Sequence, residues 1–271
     1  MELPDCMSDP IRLSVALVTR NRPESLRRCL TSLRSQDAPS VEIIVSDDGD
    51  EPAIAAAIAQ EFAARHMAGP RRGLYANRNA AALACGGTHI RTMDDDHTLP
   101  PGHLRICLEA VGRDPHALWT CGEQSFIDDQ PHSFTAHAAQ LHPSGAAQAV
   151  EDPDDNWAIA DGATIYPREI FERGFRFVED FGYGSSYLEF GALLYARGWR
   201  SRCVPEAFVE HHDEAAAQDR RSPLSCLYAS LCFNLYFRCN LLRALRHAAP
   251  HAAHFGELPR LLRLARSRWK I

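Results

Sequence analysis

Arg91-Thr92-Met93-Asp94-Asp95-Asp96-His97 places three consecutive carboxylates at the end of an apolar-leaning run, Thr88 to Met93, that reads as a strand; Pro100, Pro101 and Gly102 close it off. Adjacent carboxylates repel one another and cost stability unless a cation sits among them. Hard divalent cations take oxygen ligands, and Mg²⁺ or Mn²⁺ typically binds through one or two carboxylates plus substrate phosphates. A solvated acidic turn is the plain alternative, and the flanking chain decides between the two.

Upstream, Leu13 to Thr19 (LSVALVT) is a nearly continuous apolar run, as expected of a strand buried on both faces of a parallel sheet. Asn21-Arg22-Pro23-Glu24 starts a helix, with Asn21 or Arg22 at the cap and Pro23 in the first turn. Leu26, Cys29, Leu30 and Leu33 give that helix an i, i+3, i+4, i+7 stripe. Val41 to Ser46 is a second strand, followed by Asp47-Asp48-Gly49-Asp50. A second helix begins near Pro52, with Ile54, Ile58 and Phe62 on one face. This β-α-β-α alternation predicts an α/β fold with a mostly parallel central sheet and right-handed crossovers. Ligands bind such sheets at the carboxyl ends of the strands. Here those ends carry Thr19, Asp47-Asp48 and Asp94-Asp95-Asp96. No Gly-rich phosphate loop follows the first strand, which argues against a Rossmann dinucleotide site and a P-loop. Gly73 to Asn79 leads into an Ala-rich helix ending at Gly86-Gly87, and Arg78 on it is either a phosphate contact or a solvent-facing arginine. Pro101 to Val111 reads as a helix and Ala117 to Cys121 as a short strand. Residues 123–156 are polar, rich in His, Asp and Pro, and read as a long loop.

Val-Thr-Arg-Asn-Arg (18–22), Glu-Ile-Ile-Val-Ser-Asp-Asp-Gly (42–49), Ala-Asn-Arg-Asn-Ala (76–80) and Met-Asp-Asp-Asp (93–96), in this order, resemble the nucleotide-binding half of family 2 glycosyltransferases with the GT-A fold. The resemblance covers roughly residues 11–122. It implies that Thr19, Asp47 and Asp48 contact the nucleobase and ribose, and that Asp94 and Asp96, as the family's Asp-x-Asp, hold a Mn²⁺ or Mg²⁺ ion on the donor diphosphate. Asp95 would contact ribose, and Arg78 would join the metal in stabilising the leaving diphosphate. The acceptor pocket would involve Trp157, Asp161 and Tyr187. The family's catalytic Glu-Asp pair aligns with Ser186 and Tyr187, a departure that leaves Asp180, Glu189 or Glu179 as the candidate general base. Either His211 or His212 would be the third metal ligand.

Domain organisation follows as 1–221 for the catalytic domain, with 123–221 as its acceptor half, and 222–271 for a C-terminal helical extension. Within the extension, Leu224 to His247 reads as one long helix and Leu258 to Trp269 as a basic amphipathic helix. The latter is suited to an anionic membrane surface, to the catalytic domain, or to a second subunit in a homodimer.

Composition bounds the partners. The 271 residues, 45% hydrophobic and 24% charged, are those of an ordinary soluble globular protein, and a net charge of -6 gives no reason to expect nucleic-acid binding. Met1 to Pro10 is polar and does not read as a signal peptide, and no stretch of about 18 apolar residues calls for a membrane span. Nine scattered cysteines without a Cys-x-x-Cys pair suit a reducing cytosol, with neither zinc nor disulfides. The protein would then be cytoplasmic, with a possible peripheral place at the inner face of the membrane. The resemblance implies sugar transfer from a nucleotide-diphosphate donor, most commonly UDP-linked, to a glycan, lipid-linked or small-molecule acceptor, with inversion. A nucleotidyltransferase and an inactive sugar-nucleotide-binding protein are the competing readings.

Overall fold

In the computed structural model, which describes residues 10–38, 41–213 and 222–270, all seven residues of Leu13–Thr19 are buried and form strand β1. The apolar run has to be continuous because both faces of β1 are covered. Leu13, Val15 and Leu17 enter one hydrophobic core, and Ala16 and Val18 enter another on the opposite face. Helix α1 (Pro23–Arg34) starts with Pro23 in its first turn and buries Leu26, Cys29, Leu30 and Leu33 in the first core. Strand β2 (Glu42–Asp47), helix α2 (Pro52–Glu61), strand β3 (Arg65–Ala68), helix α3 (Leu74–Ala84) and strand β4 (His89–Asp94) follow. On α2 the inward face is Ala55, Ile58 and Ala59, while Ile54 points to solvent.

Then come β5 (His97–Thr98), α4 (His103–Arg113), β6 (Leu118–Ile127), β7 (Gln130–Thr135), β8 (Gln140–Leu141), β9 (Ala147–Gln148), β10 (Ile165–Pro167), α5 (Glu169–Glu172), α6 (Ser186–Ala196) and β11 (Ser201–Asp213). Among the described residues nine strands make one sheet in the order β3-β2-β1-β4-β10-β6-β11-β5, with β7 paired to β6. β1 is parallel to β2 and β4, and β10 inserts antiparallel between β4 and β6. The register sets Thr19 beside Asp47 and Val18 beside Asp94, so the acidic ends converge on one edge of the molecule.

Three regions differ from the sequence expectation. Residues 123–156 are not one long loop, because β6 runs on to Ile127 and returns as β7 through Asp128-Asp129. Both turn residues have positive φ (49° and 59°), as a two-residue hairpin turn requires. Trp157 to Pro167 reads in the sequence as a strand broken at Asp161-Gly162, but only Ile165–Pro167 is strand. The expected helix from Leu224 to His247 is broken: α7 (Pro223–Cys232) ends in a π-turn, Phe233–Phe237, and α8 (Leu241–Ala248) starts afresh. The break lies at Cys239, with φ at 47°, and Asn240 caps α8 by accepting from the Arg243 N–H at 2.9 Å.

Helix α9 (Leu258–Trp269) buries Leu261, Ala265 and Trp269 in the core that also holds Tyr75, Phe190 and Tyr228. Of the three partners open to this stripe, it packs on the catalytic domain, and residues 222–270 share a core with α3 and α6. No described helix is long and apolar enough to cross a membrane.

Candidate active site

A cleft of about 1170 Å³ opens where β1, β4 and β6 end, bounded on its far side by the β6–β7 hairpin and the first turn of α6. Thr19, Asp48, Asp94, Asp95, Asp96, Asp161, Tyr187 and His211 line it, together with Arg22, Asn77, His97 and Glu123, which the sequence reading did not single out.

The three adjacent carboxylates are separated by chemistry. Asp95 is 1% exposed; Thr19 Oγ1 donates to its Oδ2 at 2.6 Å. Burial, against the opposing pull of Arg22, pushes its carboxyl up to about 7. Burial works in the same direction on Asp96, but His97, Arg22 and His211 outweigh it and hold that group below the usual range. The cation among the acids is Arg22: its guanidinium donates to Asp96 Oδ2 at 2.7 Å and lies 3.2 Å from Asp95 Oδ1. Burial lowers the Arg22 pKa less than these carboxylates raise it.

Asp94 belongs to a different network. The Arg78 guanidinium, fully buried, donates to Asp94 Oδ1 at 2.6 Å and makes a second, closer bond to Asp161 Oδ1. Tyr75 OH reaches Asp161 Oδ2 at 3.1 Å and the Gly184 carbonyl at 2.9 Å. Arg78 is not among the residues lining the cleft; it lies beneath it and holds two of the cleft's carboxylates. Asp94, held by Arg78, lies outside the group of residues that could hold a metal ion.

That group is Asp96, His97 and His211, whose ligand atoms all lie within 4.8 Å of one another. Asp96 Oδ1 is buried without a hydrogen-bond partner. It is 4.0 Å from His97 Nε2 and 3.9 Å from His211 Nε2. His97 Nδ1 lies 3.1 Å from the Gly162 carbonyl, and His211 Nδ1 lies 3.2 Å from Glu123 Oε1. An oxygen acceptor at each Nδ1 places the proton there and turns the Nε2 lone pair toward Asp96, as metal-binding histidines require. The residues fit a divalent cation, and a set of two imidazoles and one carboxylate suits a transition ion better than all-oxygen Mg²⁺. Gly162 is needed here: its φ is +67°, and a Cβ would come within 2.6 Å of Asp94 Oδ2 and 2.9 Å of His97 Cε1. His212 is not in this group, because neighbouring residues of a strand face opposite ways. Its ring stacks on Phe126 at 4.9 Å, and its Nε2 lies 3.0 Å from Thr98 Oγ1.

Several other expected residues are elsewhere. Asp47 is 4% exposed and uses Oδ1 to accept from the Gly49 N–H at 2.7 Å, closing the turn after β2 rather than facing the cleft. Asp48 lines the cleft and accepts from the Arg71 N–H at 2.8 Å. Trp157 packs among Tyr195, Phe233 and Phe237 and donates its indole N–H to the Leu141 carbonyl at 3.2 Å, away from the cleft. None of the three base candidates lines it. Glu179 bonds Asn79 at 2.9 Å and Arg72 at 3.0 Å. Asp180 faces Arg260 at 3.4 Å on the surface. Glu189 is fully buried against α9, where Arg268 and the Trp269 indole donate to it. The cleft carboxylates outside the acidic triplet are Asp48, Glu123 and Asp161 among the described residues. Glu123 was missed because β6 was read as ending at Cys121; one longer strand puts Cys121, Glu123, Ser125 and Ile127 on the cleft face by simple alternation.

Residues 14–175, more than half of the chain, match the family model described as Glycosyl transferase family 2. Over 135 residues the chain is 28% identical to "Putative glycosyltransferase EpsH" of Bacillus subtilis (strain 168), a match covering 48% of this chain and 39% of that one. The chain thus spans well under half the length of this relative. Among solved structures, GalNAc-T7 with UDP, GalNAc and Mn²⁺ superposes with a TM-score of 0.66 at 15% identity, over 83% of this chain and 48% of that one. TarS 1-349 of S. aureus gives 0.62 at 14% identity, over 91% and 74%. The same protein in complex with UDP gives 0.60 at 14% identity, over 91% and 72%. At such identities the likeness is one of fold, the GT-A α/β architecture.

Proposed function

The chain belongs to glycosyl transferase family 2, and from that premise we propose that it moves a sugar from a nucleoside diphosphate donor, with uridine as the base, to an acceptor hydroxyl. The observation that carries the reading is the Asp96, His97 and His211 triangle beside Thr19 and Asp95 at the carboxyl edge of the sheet. UDP in two structural neighbours, one of them with Mn²⁺, supports the choice of base and ion. Thr19, Asp48, Asn77 and Asp95 would hold the nucleoside. Asp96, His97 and His211 would hold a divalent cation, which when bound neutralises charge developing on the leaving diphosphate. Arg22, 46% exposed and already beside Asp96, is placed to add its charge to the same group.

Tyr187, Asp161 and the β6–β7 hairpin would form the acceptor side. We assign proton acceptance to Asp161. Through the Tyr75 hydroxyl it is linked to the Gly184 carbonyl, just ahead of α6, where Ser186 and Tyr187 offer no carboxylate. Burial raises its pKa, with Arg78 opposing, whereas His211 holds Glu123 low despite that residue's own burial. A base nearer neutrality accepts a proton better in the transition state. The acceptor oxygen would then bond to the anomeric carbon as the C–O bond to the diphosphate breaks on the opposite face, inverting that carbon.

A thermal-shift titration with UDP and UDP-sugars, with and without Mn²⁺, tests the donor reading. Ligand at about 100 times its Kd should stabilise the fold by about 2.7 kcal/mol. Absence of a shift with every nucleotide diphosphate would sink the reading. Asp161→Asn should lower transfer about a hundredfold while leaving UDP binding intact. Unchanged transfer in that variant would remove Asp161 from the chemistry.

A further inference from the structure

Helix α8 is built inside out. Its small residues, Ala244 and Ala248, face the protein, at 3% and 6% exposure, whereas Leu241, Leu242 and Leu245 are 64%, 80% and 61% exposed. Three large apolar side chains within five positions form a contiguous patch rather than the scattered singles a soluble surface carries. Arg243 and Arg246 flank them on the same short helix. The sequence of the C-terminal segment is one-sided in charge, although Arg268 is paired with buried Glu189 in the fold. Residues 222–271 contain eight basic residues and one acidic residue, Glu257, although the whole chain carries -6.

We propose that α8 docks on a membrane surface bearing anionic phospholipid headgroups, with its leucines entering the headgroup boundary and its arginines meeting the phosphates. Leucines flanked by arginines are the composition of a helix lying in that interface. A second copy of the chain is a poorer occupant. In an antiparallel two-fold contact on the leucines of α8, Arg243 and Arg246 of both copies would fall along the same edge. A lipid layer accepts both features at once. The inference concerns α8 rather than α9, whose apolar stripe is spent in the core, and it does not depend on the chemistry of the cleft.

The test is co-sedimentation of the full chain with vesicles of phosphatidylcholine alone or mixed with phosphatidylglycerol. The protein should pellet with the mixed vesicles, and binding should weaken as salt screens the headgroups. Leu241→Ser/Leu242→Ser/Leu245→Ser should reduce binding about tenfold or more with an unchanged Tm, because these side chains make little contact in the fold. Arg243→Gln/Arg246→Gln should reduce it on mixed vesicles only. Failure of the unaltered chain to pellet with mixed vesicles would overturn the proposal, as would undiminished binding by the leucine variant. So would a dimer in solution that the leucine variant dissociates without any vesicle binding.

Discussion

Asp96→Asn is expected to abolish the Mn²⁺-dependent part of stabilisation by UDP and to lower transfer about a thousandfold, since a metal contributes several kcal/mol to a developing charge and each factor of ten is about 1.4 kcal/mol. The substitution keeps the shape of the side chain and removes its charge, so it tests the anion and not the packing. Asp96 Oδ1 is the oxygen that both imidazoles face, and its Oδ2 anchors Arg22 at 2.7 Å. Asp94→Asn is the control. Asp94 Oδ1 is bonded to Arg78, so that variant should loosen the Arg78 and Asp161 network yet keep the metal-dependent shift. A full Mn²⁺-dependent shift in Asp96→Asn, read by melting temperature, would show that the ion lies elsewhere; its loss in Asp94→Asn would return Asp94 to the ligand set.

The difference between these two aspartates marks where the sequence stops being legible. A strand followed by carboxylates is a local pattern, and β1 was readable because a strand covered on both faces needs apolar residues at nearly every position, whereas β4, with only Ile90 and Met93 apolar, was marked by the carboxylates that end it. The proposed ligand set is not local. His97 faces His211 because β5 and β11 pair antiparallel with those two residues in register, 114 positions apart in the chain. Nothing around His97 announces that pairing, and the Asp-x-Asp pattern draws the reading to Asp94 instead. Strand β7 escaped for the opposite reason. Every one of its residues is exposed, so no alternation of apolar and polar residues betrays it. Arg22 was correctly placed near the helix start, but only the fold shows its guanidinium reaching the triplet. One local signal did exist and went unused. On α9, Arg268 falls on the apolar stripe of Leu261, Ala265 and Trp269, and a basic residue on an inward face calls for a buried acid.

That acid is Glu189, and the pair makes the last prediction. Arg268 Nε donates to Glu189 Oε1 at 3.0 Å and Oε2 at 3.1 Å, the Trp269 indole donates to Oε1 at 2.7 Å, and Glu189 is fully buried. Two desolvated charges contribute little net stability together, but removing one strands the other. Arg268→Met should therefore cost about 3–5 kcal/mol, a fall in Tm on the order of 10 °C for a chain this size at about 2–4 °C per kcal/mol. Glu189→Gln should destabilise comparably by stranding Arg268. Glu189→Leu/Arg268→Met should recover most of the loss, because an apolar pair of similar volume replaces the charges without an orphan. Transfer per folded molecule should persist in all three, since the carboxylate faces α9 and not the cleft. The opposite pattern, an unchanged Tm with transfer abolished in Glu189→Gln, would make Glu189 the base after all. Because α6 carries both Glu189 and the cleft residue Tyr187, the same pair ties the C-terminal helix to the wall proposed to hold the acceptor. Loosening α9 should therefore raise the KM for acceptor before it alters binding of UDP.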